Sequence, residues 1–148
     1  MYRIIVADDE EELRRAIIRK IQWEEIGFQV VGEAENGAEA LELVEKLELD
    51  LLMTDIRMPF ISGVELARQI REVRPSTQIA FLSGYDDFSY AQQAIQYNII
   101  SYMLKPISMV ELTEELKKIK EKLDRIFLEF AARSQETADV NEFLMPLL

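Results

Sequence analysis

Five side chains that can do chemistry each directly follow a short apolar run of the sequence. Asp8 and Asp9 come after the first run, and Asp55, Ser83 and Lys105 come after three later ones. If these runs are neighbouring strands of one sheet, the carboxylates meet, and they repel one another unless positive charge lies between them. Mg²⁺ fits best, because it accepts one or two carboxylates, keeps water and leaves room for phosphate oxygens. The five residues therefore predict a Mg²⁺ site with a hydroxyl and an ammonium group beside it.

Each of these residues also has an ordinary explanation when it is taken alone. The paired aspartates are suited to capping a helix, and Asp55 is suited to a turn. Ser83 before Gly84 is typical of a turn, and Lys105 before Pro106 is typical of a solvated lysine in an extended dipeptide, with a candidate cis peptide bond. These separate explanations do not account for the fact that all of the residues fall at the same edge of one predicted sheet.

Composition restricts the chemistry further. The chain of 148 residues contains neither Cys nor His, which excludes disulfides, thiolate nucleophiles, imidazole bases and metal sites with thiolate or imidazole ligands. Its net charge of −11 argues against whole-surface attraction to nucleic acid or to an anionic membrane. No run approaches the roughly 18 apolar residues of a membrane span, and none resembles a secretion signal, so we expect a cytoplasmic protein of one main domain.

Apolar β-branched runs alternate with amphipathic helical patterns, and these elements must position the five residues. Strands are predicted at 3–7, 28–34, 50–54, 78–82 and 100–104, and helices at 11–22, 37–47, 64–74, 88–97 and from Ser108 onward. This alternation indicates an α/β fold, with a five-stranded parallel sheet and helices on both faces. The doubly wound strand order 2-1-3-4-5 places a crevice at the carboxyl ends of strands 1 and 3, where the aspartates fall.

The last helix is longer than such a domain needs. Its apolar seam has a period of 3.5 residues and consists of Leu112, Leu116, Ile119, Leu123, Ile126 and Phe130. The half that begins near Asp124 has no partner in a five-stranded domain, so we expect this extended helix to project or to pair with a second copy of the chain. A break is predicted at 134–137, and the apolar end at 144–148 is typical of a fragment. The predicted units are a domain at 1–123 and a helical extension or linker at 124–148.

The motifs of this sequence, taken in order, resemble those of one family. They are Asp8-Asp9-Glu10, Asp55-Ile56-Arg57-Met58-Pro59 with Gly63 further on, Ser83-Gly84, and Lys105-Pro106. From Met1 to Leu123 the chain resembles the receiver (phosphoacceptor) domain of two-component response regulators, which has a flavodoxin-like fold. Any one of these motifs is weak, but the complete set in this order is highly specific.

The resemblance implies an activity. It implies that Asp55 accepts a phosphoryl group from a sensor histidine kinase. It also implies that Asp8 and Asp9 hold Mg²⁺ directly or through water, with Asp55 and the backbone carbonyl of Arg57 as further ligands. The implied transfer agrees with the chemistry of these groups, because an aspartyl carboxylate is a competent nucleophile for phosphorus. The chain cannot itself be the histidine kinase, since it contains no His.

The resemblance further implies how phosphorylation is read out. Lys105 is expected to pair with the phosphoryl oxygens, Ser83 to supply the hydroxyl that moves to contact them, and Tyr102 to be the aromatic switch residue. This sequence departs from the family pattern in two small ways. Ser83 replaces the commoner Thr, and the bulky residues Arg57 and Tyr85 flank the site, where both are placed to screen attacking water.

One subgroup of the family is the most similar. Segments 82–88 and 97–106, together with Trp23 and Gly27, resemble regulators whose later half is an AraC-type DNA-binding domain. This resemblance implies that the chain contacts DNA only through a C-terminal output domain that is not part of these residues. We also expect a homodimer. The seam of the last helix is one candidate surface, and the resemblance suggests the fourth predicted helix, the fifth strand and the last helix as an alternative or additional one.

Three other functions would each account for part of the sequence. A Mg²⁺-dependent phosphohydrolase of the haloacid-dehalogenase type also uses a nucleophilic Asp, but it expects Asp-x-Asp after the first strand, a spacing that Asp8-Asp9-Glu10 lacks. A flavin or nucleotide binder is disfavoured, because the five glycines never lie closer than five residues apart and cannot build a phosphate-binding loop. A degenerate receiver that serves only for dimerisation is disfavoured by the complete set of acidic, hydroxyl and Lys side chains.

Overall fold

The computed structural model describes residues 1–84, 89, 92 and 95–144, and from residue 134 onward it describes the backbone alone. The chain folds around a parallel sheet of five strands in the order β2-β1-β3-β4-β5. The strands are β1 Tyr2–Ala7, β2 Phe28–Ala34, β3 Leu51–Thr54, β4 Gln78–Ser83 and β5 Ser101–Leu104. The predicted α/β class and the predicted strand order are both confirmed.

Three of the five described helices begin at a capping side chain. The helices are α1 Glu11–Lys20, α2 Trp23–Ile26, α3 Gly37–Lys46, α4 Gly63–Val73 and α5 Met109–Leu144. The side chains of Asn36, Ser62 and Ser108 each accept a hydrogen bond from the backbone N–H three residues later, at the starts of α3, α4 and α5. Sequence analysis missed α2, a single turn that ends at Gly27, whose φ of 111° is a left-handed conformation that glycine tolerates.

The fourth predicted helix, at 88–97, lies mostly outside the described residues. Its described end, Ile95–Tyr97, is a short 3-10 helix. The Arg71 guanidinium in α4 donates to the backbone carbonyl of Tyr97 at 2.8 Å. This bond ties the segment that leads into β5 to the body of the domain.

Both faces of the sheet are buried, because successive strand residues point to opposite sides. In β1, Ile4 and Val6 pack on the face that α1 and α5 cover, whereas Ile5 and Ala7 pack on the face that α3 and α4 cover. A strand enclosed in this way can accept charged side chains only at its ends. This is why the apolar run of β1 is followed at once by two aspartates at the edge of the sheet.

The apolar seam of α5 is buried in its first part and exposed to solvent in its second part. The members packed on the sheet are Leu112, Leu116, Ile119 and Leu123, all buried. The next members, Ile126 and Phe130, are 40% and 70% exposed. Burial of the seam therefore ends after Leu123, close to the predicted boundary, and the helix continues beyond it.

The predicted break at 134–137 is wrong, because α5 continues as helix to Leu144. No Gly or Pro lies between Pro106 and Pro146, and the Ser, Gln, Glu and Thr of this stretch weaken a helix by at most about 0.7 kcal/mol each. In the part of the chain that the structure describes, no helix is both long and apolar enough to cross a membrane.

Tyr2 anchors α5 at the point where the helix leaves the sheet. Its hydroxyl donates to the Asp124 carboxylate at 2.5 Å, and its ring centroid lies 6.1 Å from that of Phe127. The Lys120 ammonium is 3.0 Å from the other oxygen of Asp124. Burial and the Asp124 bond raise the pKa of Tyr2 to about 12. These contacts fix the direction in which the exposed half of α5 departs.

Gly63, the first residue of α4, lies against the backbone that carries Asp55. Its N–H donates to the Ile56 carbonyl at 2.6 Å. A Cβ atom at this position would lie 2.3 Å from the Asp55 carbonyl oxygen and 2.8 Å from the Ile56 Cα. Glycine is therefore required here by close approach of two backbone segments, and α4 cannot start in this place with any larger residue unless the Asp55 loop moves.

We predict that Gly63→Ala lowers the free energy of unfolding by about 1–3 kcal/mol, because the added methyl group meets backbone atoms that cannot rotate away. Gly84→Ala is the matched control, since a Cβ there has nothing within 4 Å. Urea unfolding followed by the fluorescence of Trp23, the one tryptophan of the chain, measures both variants. Equal stability of the two variants would contradict the prediction.

Candidate functional site

The predicted site residues meet at the carboxyl edge of the sheet. Asp8 and Asp9 follow β1, Asp55 follows β3, Ser83 ends β4 and Lys105 follows β5. The register of the central strands pairs the last residues of β1 and β3 with each other. Asp8 and Asp55, which come next along these two strands, are therefore side by side, as the strand order requires.

The three aspartates form one acidic cluster. Carboxylate oxygens of Asp8, Asp9 and Asp55 lie within 4.8 Å of one another, and no second cluster of this kind occurs among the described residues. Asp8 and Asp55 are only 2% and 6% exposed, whereas Asp9 is exposed. Two buried carboxylates and one exposed carboxylate thus lie close together at the same edge of the sheet.

Lys105 lies between the two buried carboxylates. Its Nζ is 2.9 Å from Asp8 Oδ2 and 3.0 Å from Asp55 Oδ2. The exposed carboxylate of Glu10 approaches the same ammonium at 3.4 Å. The Lys105 backbone N–H donates to the Ser83 carbonyl at 2.6 Å, and the Lys105–Pro106 peptide bond is cis. One cation from β5 thereby holds together the acidic ends of β1 and β3.

The pKa values of these groups record the balance between burial and charge. Burial raises the pKa of Asp8 to about 6, although its contacts with the Glu10 N–H and Lys105 oppose the rise. Burial also raises the pKa of Asp55, against the opposing effects of Lys105 and of the Ile56 N–H. For Lys105, burial disfavours the charged form, but Asp8 and Asp55 outweigh it and raise the pKa of the ammonium. Lys105 therefore offsets only part of the effect that burial has on the pKa values of Asp8 and Asp55.

The donor set of the cluster fits a hard divalent cation. Each buried carboxylate uses one oxygen for a backbone N–H, Asp8 Oδ1 accepting from Glu10 at 2.9 Å and Asp55 Oδ1 accepting from Ile56 at 2.7 Å. A carboxylate has about four lone-pair sites, so each retains further acceptor capacity. Oxygen ligands from Asp8, Asp9 and Asp55, with their uncompensated negative charge, are the ligands that Mg²⁺ prefers. These three residues could hold such an ion.

The remaining predicted residues surround this cluster. Ser83 is fully buried at the end of β4. Tyr102 is half-buried in β5, and its ring meets that of Phe81 edge-on, with the centroids 6.5 Å apart. Arg57 is exposed and lines a surface depression together with Asp9. Tyr85, predicted to flank the site, lies outside the described residues.

Sequence analysis missed two residues that contact this group. Glu10 appeared only within the first motif, yet its side chain is a third carboxylate near Lys105. Arg14 is only 4% exposed and donates to the backbone carbonyl of Asp8 at 2.7 Å. The signal for Arg14 was its spacing, because it lies three residues before the buried Ile17 on the inner face of α1.

Comparison with known proteins agrees with this geometry. The family described as Response regulator receiver domain matches residues 4–117. A solved structure of the REC domain of AraT, a response regulator from Geobacillus stearothermophilus, has a TM-score of 0.79 and 41% sequence identity, over 84% of this chain and 96% of that one. The two-component transcriptional regulator AraC from Clostridium phytofermentans has a TM-score of 0.77 and 33% identity, over 84% of this chain and 97% of that one.

The similar curated proteins are longer than this chain. The transcriptional regulatory protein YesN of Bacillus subtilis, itself uncharacterised, is 36% identical over 125 residues, which are 84% of this chain and 34% of that protein. The transcriptional regulatory protein HptR of Staphylococcus aureus is 32% identical over 149 residues, which are 100% of this chain and 57% of that protein. The chain thus spans between one third and somewhat over half of these relatives.

We predict that Asp8 makes the metal-free protein less stable as the pH rises. Its folded-state pKa of about 6 lies above the ordinary value of 3.8, so the folded state holds this proton more tightly than the unfolded state does. The resulting stabilisation is present below about pH 4 and is lost as the pH rises through about 6. In the presence of a chelator, Asp8→Asn should therefore gain about 1–3 kcal/mol of stability relative to wild type between about pH 4 and pH 7.5.

Urea unfolding at several pH values measures this difference. Glu25→Gln, at an exposed position of α2, controls for the loss of one negative charge as such. Parallel pH profiles for the wild type and Asp8→Asn would contradict the prediction.

Proposed function

This chain belongs to the response regulator receiver domain family, and we propose that it accepts a phosphoryl group on Asp55 from a phosphohistidine of a sensor histidine kinase. The setting of Asp55 is the observation that supports this most directly. Its carboxyl is buried, lies beside two further carboxylates and has an ammonium at 3.0 Å. In the transfer, an Asp55 oxygen forms a bond to phosphorus as the bond from phosphorus to the imidazole nitrogen breaks, and the electron pair of that bond returns to the imidazole.

We propose Mg²⁺ as the cofactor, held by Asp8, Asp9 and Asp55, with the backbone carbonyl of Arg57 as the further ligand that family resemblance implies. Three carboxylates and one ammonium leave two negative charges when all are ionised, which a divalent cation balances. When bound, Mg²⁺ supplies positive charge that neutralises the oxygens of the transferring phosphoryl group. The aspartates must be deprotonated to bind it, so metal binding competes with the raised pKa of Asp8.

Lys105 is proposed to pair with the phosphoryl group once it is on Asp55. Its ammonium already lies 3.0 Å from Asp55 Oδ2 and has three N–H donors. It therefore needs only a small displacement to donate to a phosphoryl oxygen. Because these groups all belong to the chain itself, we further propose that the chain catalyses its own phosphorylation from small phosphodonors and its own slow dephosphorylation.

We predict that incubation with Mg²⁺ and acetyl phosphate adds one phosphoryl group to the protein, detected by intact mass spectrometry. Asp55→Asn should abolish this gain, because an amide oxygen is a poor nucleophile, and chelation of the metal should abolish it too. Asp50→Asn is the matched control and should be modified like the wild type. Modification of Asp55→Asn, or modification that chelation leaves undiminished, would contradict the proposal.

We propose that Ser83 and Tyr102 read out the modification. A dianionic phosphoryl group on Asp55 attracts hydroxyl donors, and Ser83 ends the strand next to β3. Movement of the Ser83 hydroxyl toward the phosphoryl group would leave space into which Tyr102 turns. The surface that β5 forms with α5 would change as a result.

Crystal structures of the protein with and without beryllofluoride, a phosphoryl mimic, test this readout. We predict a changed χ1 rotamer for Tyr102 and a shifted Ser83 side chain in the presence of the mimic. The Ser83→Ala variant should bind the mimic but show a weaker response at Tyr102. Unmoved Ser83 and Tyr102 side chains in the mimic-bound wild type would contradict the proposed readout.

We propose that the receiver spans residues 1–123 and that residues 124–148 form a helical extension toward an output domain. Burial of the α5 seam ends after Leu123, which supports this division. The relatives that are named transcriptional regulatory proteins are longer than this chain. By this proposal the output domain contacts DNA in the cytoplasm, and the residues of the receiver do not.

We also propose that the chain forms a homodimer through the exposed half of α5. Ile126, Phe127 and Phe130 continue the side of the helix that is buried further upstream, and they are 40%, 60% and 70% exposed. A heptad seam of this kind is what a second helix covers in a coiled coil. The Tyr2 and Asp124 contact holds this half in a defined direction, which favours pairing with a second copy.

Sedimentation equilibrium of an Ile126→Glu, Phe130→Glu variant tests the dimer. We predict that the wild type is dimeric and that the variant is monomeric, because two charges cannot be buried in the seam. Leu128→Glu is the matched control, since Leu128 is 69% exposed and lies about 200° around the helix from Ile126. A monomeric wild type at hundreds of micromolar, or equal disruption by Leu128→Glu, would end the proposal.

A further inference from the structure

Arg14 is a charged residue buried in the inner face of α1. Its side chain is 5% exposed, whereas that of the neighbouring Arg15 is 64% exposed. Burial of a guanidinium is unfavourable unless its N–H groups find acceptors. The contacts that Arg14 makes must therefore compensate its desolvation, and they lie next to the acidic cluster.

These contacts join α1 to two strands. Arg14 Nη1 donates to the backbone carbonyl of Asp8 at 2.7 Å, and Arg14 Nε lies 3.2 Å from Glu33 Oε1 in β2. The Asp8 backbone N–H donates to the Ala34 carbonyl in β2 at 3.0 Å. The backbone of Asp8 is thus held against β2 twice, directly through its N–H and indirectly through its carbonyl, Arg14 and Glu33.

The carbonyl that Arg14 holds belongs to the peptide between Asp8 and Asp9. A peptide unit is planar, so an acceptor bond to its oxygen restricts the orientation of the whole unit. That orientation determines where the Cα of Asp9 lies and in which direction its side chain leaves. The hydrogen bonds and the ion pair of Arg14 go to the Asp8 backbone carbonyl and to Glu33. Its influence on the three cluster carboxylates therefore passes through the backbone.

Asp9 needs such a restraint because Lys105 does not supply one. The ion pairs of Lys105 in the described residues are with Asp8, Glu10 and Asp55. Asp9 is exposed, and repulsion from the other two carboxylates favours its departure from the cluster. A rigid backbone at Asp8 and Asp9 keeps the three carboxylates close together before any cation arrives.

We propose that Arg14, held by Glu33, is a positioning residue for the metal-binding aspartates, and that it sets the affinity of the cluster for a divalent cation by fixing the peptide between Asp8 and Asp9. This inference rests on the function proposed above. The planar guanidinium serves two acceptors at once in a fixed arrangement, which a lysine ammonium does not reproduce.

Calorimetric titration of the metal-free protein with Mg²⁺ tests the proposal. Loss of groups that orient metal ligands weakens metal binding by about 10–100-fold, so we expect a dissociation constant at least about tenfold higher in Arg14→Met. Arg14→Lys should recover only part of the affinity, and Glu33→Gln should weaken it less than Arg14→Met. The double variant Arg14→Met, Glu33→Gln should bind Mg²⁺ no more weakly than Arg14→Met, because the two changes remove the same restraint. Arg15→Met is the matched control and should bind like the wild type.

A second readout separates positioning from general destabilisation. In NMR spectra of the metal-free protein, the amide signals of Asp9 and Glu10 should shift in Arg14→Met and in Glu33→Gln, and not in Arg15→Met. Saturating Mg²⁺ should restore phosphorylation of Arg14→Met by acetyl phosphate, because the variant retains all of its metal ligands.

The possible results are distinguishable. Wild-type binding of Mg²⁺ together with unchanged affinity in folded Arg14→Met would overturn this inference and leave the proposed function standing. If Arg14→Met does not fold, unchanged affinity and unshifted Asp9 and Glu10 amides in Glu33→Gln would overturn it equally. A wild type that binds no Mg²⁺ would overturn the proposed function and this inference with it.

Discussion

Repulsion among three aspartate carboxylates at one edge of the sheet is the interaction on which the site depends. Two neighbouring parallel strands bring them together, and Lys105 compensates part of their charge from 2.9 and 3.0 Å. Burial raises the pKa of Asp8 to about 6, and Lys105 opposes only part of that rise. The negative charge that remains is what suits the cluster to the divalent cation proposed above, because carboxylates fully neutralised by lysines would not attract one.

The rest of the domain keeps this repulsive arrangement from relaxing. Strands β1 and β3 are buried on both faces, so their carboxyl ends cannot separate without exposing a core. Gly63 allows α4 to begin directly against the backbone of Asp55, and Arg14 holds the carbonyl of Asp8. Helix α5 covers one face with its first half and extends beyond the sheet with its second. The acidic cluster and the projecting half of α5 thus belong to the same domain framework.

Much of this architecture was predictable from the sequence because its signals are local. Apolar β-branched runs alternating with 3.6-residue patterns leave few topologies for a parallel sheet with helices on both faces, and the order 2-1-3-4-5 is confirmed by the structure. Residues at strand ends then share one edge, which is why the sequence alone placed Asp8, Asp55 and Lys105 together. The N-cap predicted at Ser108 also rests on a local signal, because its hydroxyl accepts a hydrogen bond from the Glu111 N–H only three residues later.

Contacts between distant parts of the chain decided what the sequence could not show. Lys105 meets Glu10 across 95 positions, and the burial of Arg14 depends on one acceptor just after β1 and another in β2. The sequence by itself determined which elements form and which chemical groups stand at their ends. Only the tertiary structure decided distances, burial and pKa values, because these depend on atoms that folding brings together from far along the chain.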